Sequence, residues 1–342
     1  MKSLKDISWL VTEEEYRADP ALSYSTLARF EREGFEGLPK LFDKIESPSL
    51  TFGSMVDTLI TGTQEEFDER FMVAQLDNNL SDALINITKT LFNKWKDTYH
   101  SLPDIPEDYV IDTIADIQWN NHWLPKTRVK KIKEDCSGYY ALLYLANDRT
   151  IVSTLSYQDA LNCVDRLKSA PSTRFYFEED LFDKNIERLY QLKFKATFDN
   201  VDYRCMADLL ITFHKEKIVV PVDLKTSSKP EYNFYKSFID WKYDIQSRLY
   251  WKIIRDNMDK DDYFKDFKLA DYKFIVINRK TLNPLVWNFN KTQSEGELVT
   301  PNGVTLRHPF EIGKQLRRYL DEKPVVPDGI DLIKPNELSD KI

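Results

Sequence analysis

Cysteine is scarce in this chain: Cys136, Cys163 and Cys205 are the only three in 342 residues, far apart and without a CxxC pair. That spacing excludes a disulfide framework and a zinc ribbon, and three thiolates alone cannot hold an iron–sulfur cluster. The four histidines, His100, His122, His214 and His308, fall at no metal-ligand spacing. No apolar run approaches the roughly 18–20 residues that cross a bilayer. The opening MKSLKDISWLVTEEEY turns acidic where a signal peptide would carry its apolar stretch, so the chain is expected to be cytoplasmic. A basic excess is missing too. With a net charge of −8, any nucleic-acid path must be a local stripe on an acidic protein. Aromatic residues, at 13%, are plentiful and hydrophobic ones reach 42%, enough to bury a full core and to exclude disorder over most of the length.

The pattern changes along the chain. The first half reads as helical: Ser25 is placed to N-cap a helix over TLARFERE that Gly34 and Gly37 end, and Gly62 closes a second one from Gly53 to Ile60. Helical pieces with polar loops follow to about Lys168, except that SGYYALLYLANDRT would also suit a hairpin. After about Leu189 the period drops to two. LYQLKFKATF, DYRCMADLLITF and KIVVPVDLKT are consecutive strands, joined by a turn at Asp199-Asn200 and a loop from His214 to Lys217. One helix is expected over YKSFIDWKYDIQSRLYWKIIRD, with Phe238, Trp241, Ile245, Leu249 and Ile253 as its apolar face. KFIVIN and PLVWNF are two more strands, and a short helix (FEIGKQLRRYL) precedes a Pro-rich tail.

Chemistry concentrates on the second and third of these strands. If Phe213 faces Ile218 across the loop, paired residues have numbers summing to 431, and Asp208 falls opposite Asp223. Cross-strand partners share a face roughly 4.5–5.5 Å apart. Lys225, two residues on, shares it. Two carboxylates so close repel unless a cation sits between them, and oxygen ligands suit Mg²⁺ or Mn²⁺. Such an ion activates water, and a lysine beside it would position or deprotonate that water and offset charge on a phosphodiester. Asp-x-Lys alone says little, since it also starts at Asp240, Asp266, Asp271 and Asp321. Asp223 differs in ending an apolar run, IVVPVDLK, where charges are costly unless paired or metal-bound. On strand geometry alone, a structural salt bridge explains the three equally well. Pro221 points to an edge or a bulge.

In the helix that follows, Gln246 and Tyr250 are one turn apart. The run ADLLITF…VVPVDLKTSS…YDIQSRLYW, preceded by LSYSTLARF and FGSMVDTLITG, resembles the PD-(D/E)xK nuclease superfamily. Within it the chain is most similar to the RecB-like and exodeoxyribonuclease VIII (RecE-type) exonucleases of bacteriophages. The resemblance spans about residues 22–290 and rests on several motifs in the right order. It implies an α/β (α+β) fold: a restriction-endonuclease-like core with a central mixed sheet flanked by helices, plus a large helical N-terminal portion. The divisions expected are N-terminal helices over 1–62 that bring the Gly53/Asp57 motif to the core, a helical insertion over 63–168, the nuclease core over 169–290 and an extension over 291–342.

The resemblance further implies catalytic roles for Asp208, Asp223, Lys225, Gln246 and Tyr250, and Mg²⁺ (or Mn²⁺) held by Asp57, Asp208 and Asp223. It implies digestion of DNA from duplex ends in recombination, replication or repair, a single-strand annealing protein as partner, and a homo-oligomer. Two departures stand out. Asp57 replaces the family's histidine, and the acid many members carry near the first strand is here either Glu187 or absent, with Gln191 in its place. A catalytically impaired scaffold that binds DNA ends or protein is therefore the alternative reading. Candidate phosphate contacts are Ser227 and Ser228, after the D-x-K strand, and the basic run of Lys126, Arg128, Lys130 and Lys131, which more often marks a solvated face.

Overall fold

The computed structural model describes residues 1–322 except 44, 46, 77–79, 116, 118 and 179–183. The Pro-rich tail expected after residue 322 lies outside the described residues. Two compact units make up the chain, Met1–Glu46 with Arg166–Ile342 and Ser47–Asp165.

The first unit opens with α1 (Glu13–Ala18) and α2 (Tyr24–Glu33). The N-cap of α2 is Ser23, which accepts from the Thr26 amide, and not the expected Ser25, which sits inside the first turn. Gly34 ends the helix at φ 62°, a conformation open to glycine at little cost.

The second unit holds α3 (Pro48–Thr61), α4 (Gln64–Arg70), β1 (Phe71–Ala74), α5 (Asp82–Trp95), α6 (Glu107–Ile114), α7 (Pro125–Ala146), β2 (Thr150–Ser153) and most of α8 (Thr154–Ser169). Its core is aliphatic and aromatic, with Ile87, Leu91, Ile132 and Tyr140 fully buried. The stretch that also suited a hairpin is the second half of α7, which stops at left-handed Asn147. α3, expected to join the N-terminal helices, belongs to this unit.

Back in the first unit come α9 (Arg174–Phe177), β3 (Ile186–Phe198), β4 (Val201–Phe213), β5 (Ile218–Ser227), α10 (Phe234–Asp240), α11 (Tyr243–Asp259), β6 (Lys268–Leu269), β7 (Tyr272–Asn278), β8 (Pro284–Phe289), β9 (Leu298–Val299), β10 (Thr305–Leu306) and α12 (Pro309–Glu322). A mixed sheet of order β3-β4-β5-β7-β8, with β6 beside β5, is its centre. β3, β4 and β5 run antiparallel as hairpins, β5 and β7 pair in parallel across the α10–α11 crossover, and β8 returns antiparallel. This is the mixed α/β architecture the sequence implied. Asp199 and Asn200 make the β3–β4 turn with φ of 51° and 63°, as a two-residue hairpin requires.

Pro221 does not mark an edge. β5 is central, and its second neighbour changes from β6, at Ile218 and Val219, to β7, from Val222 onward. Proline, which has no N–H to donate, stands in the gap between those two ladders.

The single helix expected after β5 is two. α10 ends at Asp240, Lys242 adopts φ 58°, and α11 begins at Tyr243. The Trp241 carbonyl released by the break accepts from the Tyr24 hydroxyl at 2.7 Å. Trp241 is 51% exposed and is not part of the apolar face, whereas Phe238, Ile245, Leu249 and Ile253 are buried as expected.

α12 packs into the same core and comes close enough to β4 for Gly313 to matter. A Cβ at Gly313 would stand 2.7 and 2.8 Å from two ring carbons of Tyr203, which is fully buried and cannot swing aside. Gly313→Ala should therefore lower stability by about 1–3 kcal/mol. The measurement is a urea midpoint at unchanged slope; an unmoved midpoint would show that the helix backs off the sheet freely.

Candidate active site

The register that places the carboxylates is set in the β4–β5 hairpin. Five pairs from Phe213↔Ile218 to Leu209↔Val222 all sum to 431. Backbone pairing stops there, one pair short of Asp208 and Asp223. Beyond it the Asp208 carboxylate takes over, with Oδ2 accepting from the Leu224 amide at 2.9 Å. β5 meanwhile continues along β7, with Asp223 beside Phe274 and Lys225 beside Val276.

Asp208 reaches that position through a step in two strands at once. The β3–β4 ladder runs Tyr190↔Leu209 and then Leu192↔Ala207, passing over Gln191 and Asp208. Gln191 adopts φ 54°. The main core takes Tyr203, Cys205 and Ala207 from β4, then Leu210; from β3 it takes Phe194 and Leu192, then Leu189. The alternation of both strands therefore shifts by one residue at this level, while the register stays unbroken, Tyr190↔Leu209 and Leu192↔Ala207 both summing to 399, so the step is shared by both strands and is not a β-bulge. Of the two candidates for a first-strand acid, Gln191 is the one beside Asp208. Glu187 pairs with Thr212, and its carboxylate lies 3.6 Å from His214 Nε2.

Asp223 is fully buried. Gln246 Nε2 donates to its Oδ1 at 2.5 Å, and Lys225 Nζ lies 2.5 Å from its Oδ2. That second contact is an ion pair, with no hydrogen bond to Oδ2 beside it. Burial works against the charged form of Lys225, yet the carboxylate of Asp223, with Tyr243 and Asp208 behind it, holds its pKa above the ordinary lysine value. Lys225 is therefore held as an ammonium beside Asp223, suited to offsetting negative charge.

Aromatic side chains surround the charges. The Tyr243 ring centroid is 4.9 Å from Lys225 Nζ, a cation–π contact. Tyr24 lies edge-on to Tyr250 at 6.5 Å and tilted to Tyr243 at 6.3 Å, and Tyr250 meets Tyr272 at 6.3 Å. Burial, with the two aspartates adding to it, raises the pKa of Tyr250 and Tyr272 well above the usual phenol value. Tyr24, Tyr243 and Tyr272 were not singled out in the sequence. Tyr243 had a signal, standing three residues before Gln246 and seven before Tyr250 on the same helix face. Tyr24 lies inside the LSYSTL patch, and Tyr272 carried none.

Asp208, Asp223, Lys225, Gln246 and Tyr250 thus converge within the first unit. Asp57, partly buried on α3, belongs to the second. Ser227 is partly buried, its hydroxyl bound by the Lys229 amide at 3.0 Å, while Ser228 is exposed. On α7, Lys126 is exposed and Lys130 and Lys131 pair with Glu134 and Asp135. Arg128 is 9% exposed and donates to the Ile117 carbonyl at 3.0 Å, so it is turned inward and the basic run is not a continuous strip.

The donors can be tested against a divalent cation. No group of three or more His, Cys, Asp or Glu that could hold a metal occurs among the described residues. Mg²⁺ needs no such group, since it binds through one or two carboxylates and keeps its waters. Gln246 Oε1 and the Tyr272 hydroxyl are buried without hydrogen-bond partners, at a cost of about 1–3 kcal/mol each, and beside Asp223 Oδ2 stands the Lys225 ammonium. A hard cation with its waters fits that chemistry.

No family model matches the chain, and no curated protein matches it significantly. Among solved structures, it is similar to a "Putative exonuclease" from Eubacterium rectale, at 14% identity over 85% of this chain and 92% of that one, with a TM-score of 0.32. At that score the likeness does not establish a shared fold.

Asp244, in the first turn of α11, is 1% exposed. Burial raises its pKa to about 6, against the pull of Arg248 and Lys242. A pKa higher in the folded than in the unfolded state favours folding at low pH, and that benefit is lost as pH rises through about 6. Asp244→Asn should melt with wild type near pH 4 and increasingly above it between pH 4 and pH 7. A difference in melting temperature that stays constant over this range would contradict the assignment.

Proposed function

We propose that this chain is a metal-dependent nuclease that hydrolyses DNA phosphodiester bonds. The observation that carries the reading is the convergence of Asp208, Asp223 and Lys225 on one face, with Gln246 fixing the Asp223 carboxylate. Asp208 and Asp223 are the residues that would hold Mg²⁺, or Mn²⁺; when bound, the ion lowers the pKa of a water and offsets charge on a phosphoryl oxygen.

The protein's own contribution is positioning and charge. Gln246 holds Asp223 in one rotamer, so the carboxylate does not reorganise when substrate arrives. The Lys225 ammonium, gripped between Asp223 and the Tyr243 ring, faces negative charge as it develops. Tyr250 and Tyr272 keep the floor of the site dry, which strengthens both effects. Ser227 and Ser228 at the end of β5 are further candidates for phosphate contact, as are the exposed lysines of α7. Action as an exonuclease on duplex ends, a phage role in recombination, an annealing partner and a homo-oligomer follow from the sequence resemblance and belong to the same proposal.

The test is end-labelled linear duplex DNA incubated with Mg²⁺ or Mn²⁺, beside a covalently closed circle of the same sequence. Wild type should degrade the linear form, and Asp223→Ala or Lys225→Ala should slow it by at least about 10²-fold while melting cooperatively. No degradation by wild type with either metal would overturn the reading. Degradation unaffected by both substitutions would move the site elsewhere, and cleavage of the circle would make the enzyme an endonuclease.

A further inference from the structure

The segment that leaves β5 beside Lys225 carries a second set of residues that the site does not use. Phe234 and Phe238 of α10 turn inward, at 2% and 5% exposure. Tyr232, Tyr235 and Trp241 turn outward, at 78%, 38% and 51%. Single exposed aromatics are ordinary, but three within ten residues, on the segment that follows the D-x-K strand, are a concentration. Trp241 stands at the helix break, where its backbone is pinned at both ends, its amide donating to the Ser237 carbonyl and its carbonyl accepting from Tyr24.

Cations accompany the rings. The Arg32 guanidinium lies 5.2 Å from the Trp241 ring centroid, and Lys236 Nζ lies 5.9 Å from that of Tyr235. Between 227 and 242, Lys229, Lys236 and Lys242 face only Glu231 and Asp240, in a chain of net charge −8. Glu231 accepts from the Thr281 hydroxyl, and Asp240 lies 3.4 Å from Lys229. A locally cationic, aromatic surface on an acidic protein complements a polyanion whose units have flat faces. Duplex DNA hides those faces, whereas an unpaired strand offers them for stacking and its phosphates for ion pairing.

We infer that Tyr232, Tyr235 and Trp241 form a stacking strip for the bases of an unpaired nucleic-acid strand, with Lys229, Lys236 and Arg32 meeting its phosphates. The strip starts where β5 ends, so it would lead a strand to Asp223 and Lys225. It rests on the nuclease reading for its purpose, and its binding can be measured apart from cleavage.

The experiment is fluorescence anisotropy of labelled oligothymidylate, and of a blunt duplex of equal length, in EDTA at two salt concentrations. Wild type should bind the single strand. Trp241→Ala and Tyr235→Ala should each weaken it about tenfold or more, Trp241→Phe should recover most of the loss, and the duplex should be affected less. Lys236→Gln should flatten the salt dependence. Alanine variants that bind the single strand like wild type would overturn the strip, as would a wild type that degrades linear DNA with Mg²⁺ but binds no single strand. Sedimentation of the chain alone serves as control: alanine variants that change only self-association would make the surface a contact between copies and also overturn the proposal. Strand binding that follows these expectations, in a protein that cleaves nothing, would uphold the strip and reject the nuclease reading.

Discussion

Everything at the candidate site depends on a fully buried aspartate. A carboxylate removed from water is costly unless its charge is met, and Asp223 meets it with one amide and one ammonium. Those two partners come from different elements, Gln246 from the helix after the crossover and Lys225 from the same strand. The β5–α11 packing is therefore tied to one buried side chain. The pairing is also incomplete, because Asp223 Oδ2 has its ion pair with Lys225 but no hydrogen bond, and two further polar atoms nearby have no partner. The same arrangement suits a place where another cation and its waters complete the shell.

The tyrosines explain how such a charge survives. Tyr24, Tyr243, Tyr250 and Tyr272 bring ring faces and edges to the cluster while excluding bulk solvent. Tyr243 offers Lys225 a cation–π contact that asks for no proton in return. Two helices and one strand contribute these rings, which makes the electrostatics of the site a property of the whole first unit rather than of the D-x-K strand.

Much of this was legible in the sequence, for identifiable reasons. The period-two alternation in β3 and β4 and the apolar run of β5 placed the strands, and a short loop at His214–Lys217 set the register. Once the register was right, Asp208, Asp223 and Lys225 followed. What was not legible were departures from regular geometry. Lys242 and Gln191 take left-handed backbones that nothing in their side chains announces, since glycine or asparagine is the usual sign. The first break turned an expected core tryptophan outward; the second accompanies the shift in alternation of β3 and β4. Arg128 was misleading for a different reason: a basic run on a helix samples every face, and one of its members was bound to fall inside.

The paired step at Gln191 and Asp208 has a consequence for how this hairpin can change. Each strand carries one residue that the ladder passes over, and the two stand opposite each other. Removing either alone would leave one strand stepped and its neighbour regular, so that every side chain on one side of the mismatch would face the wrong layer. Removing both would restore an unbroken hairpin, yet the carboxylate would leave with them. A deletion in one strand alone would therefore put the rest of that strand out of phase with its neighbour, whereas a substitution at Asp208 would remove the carboxylate and leave the step in place.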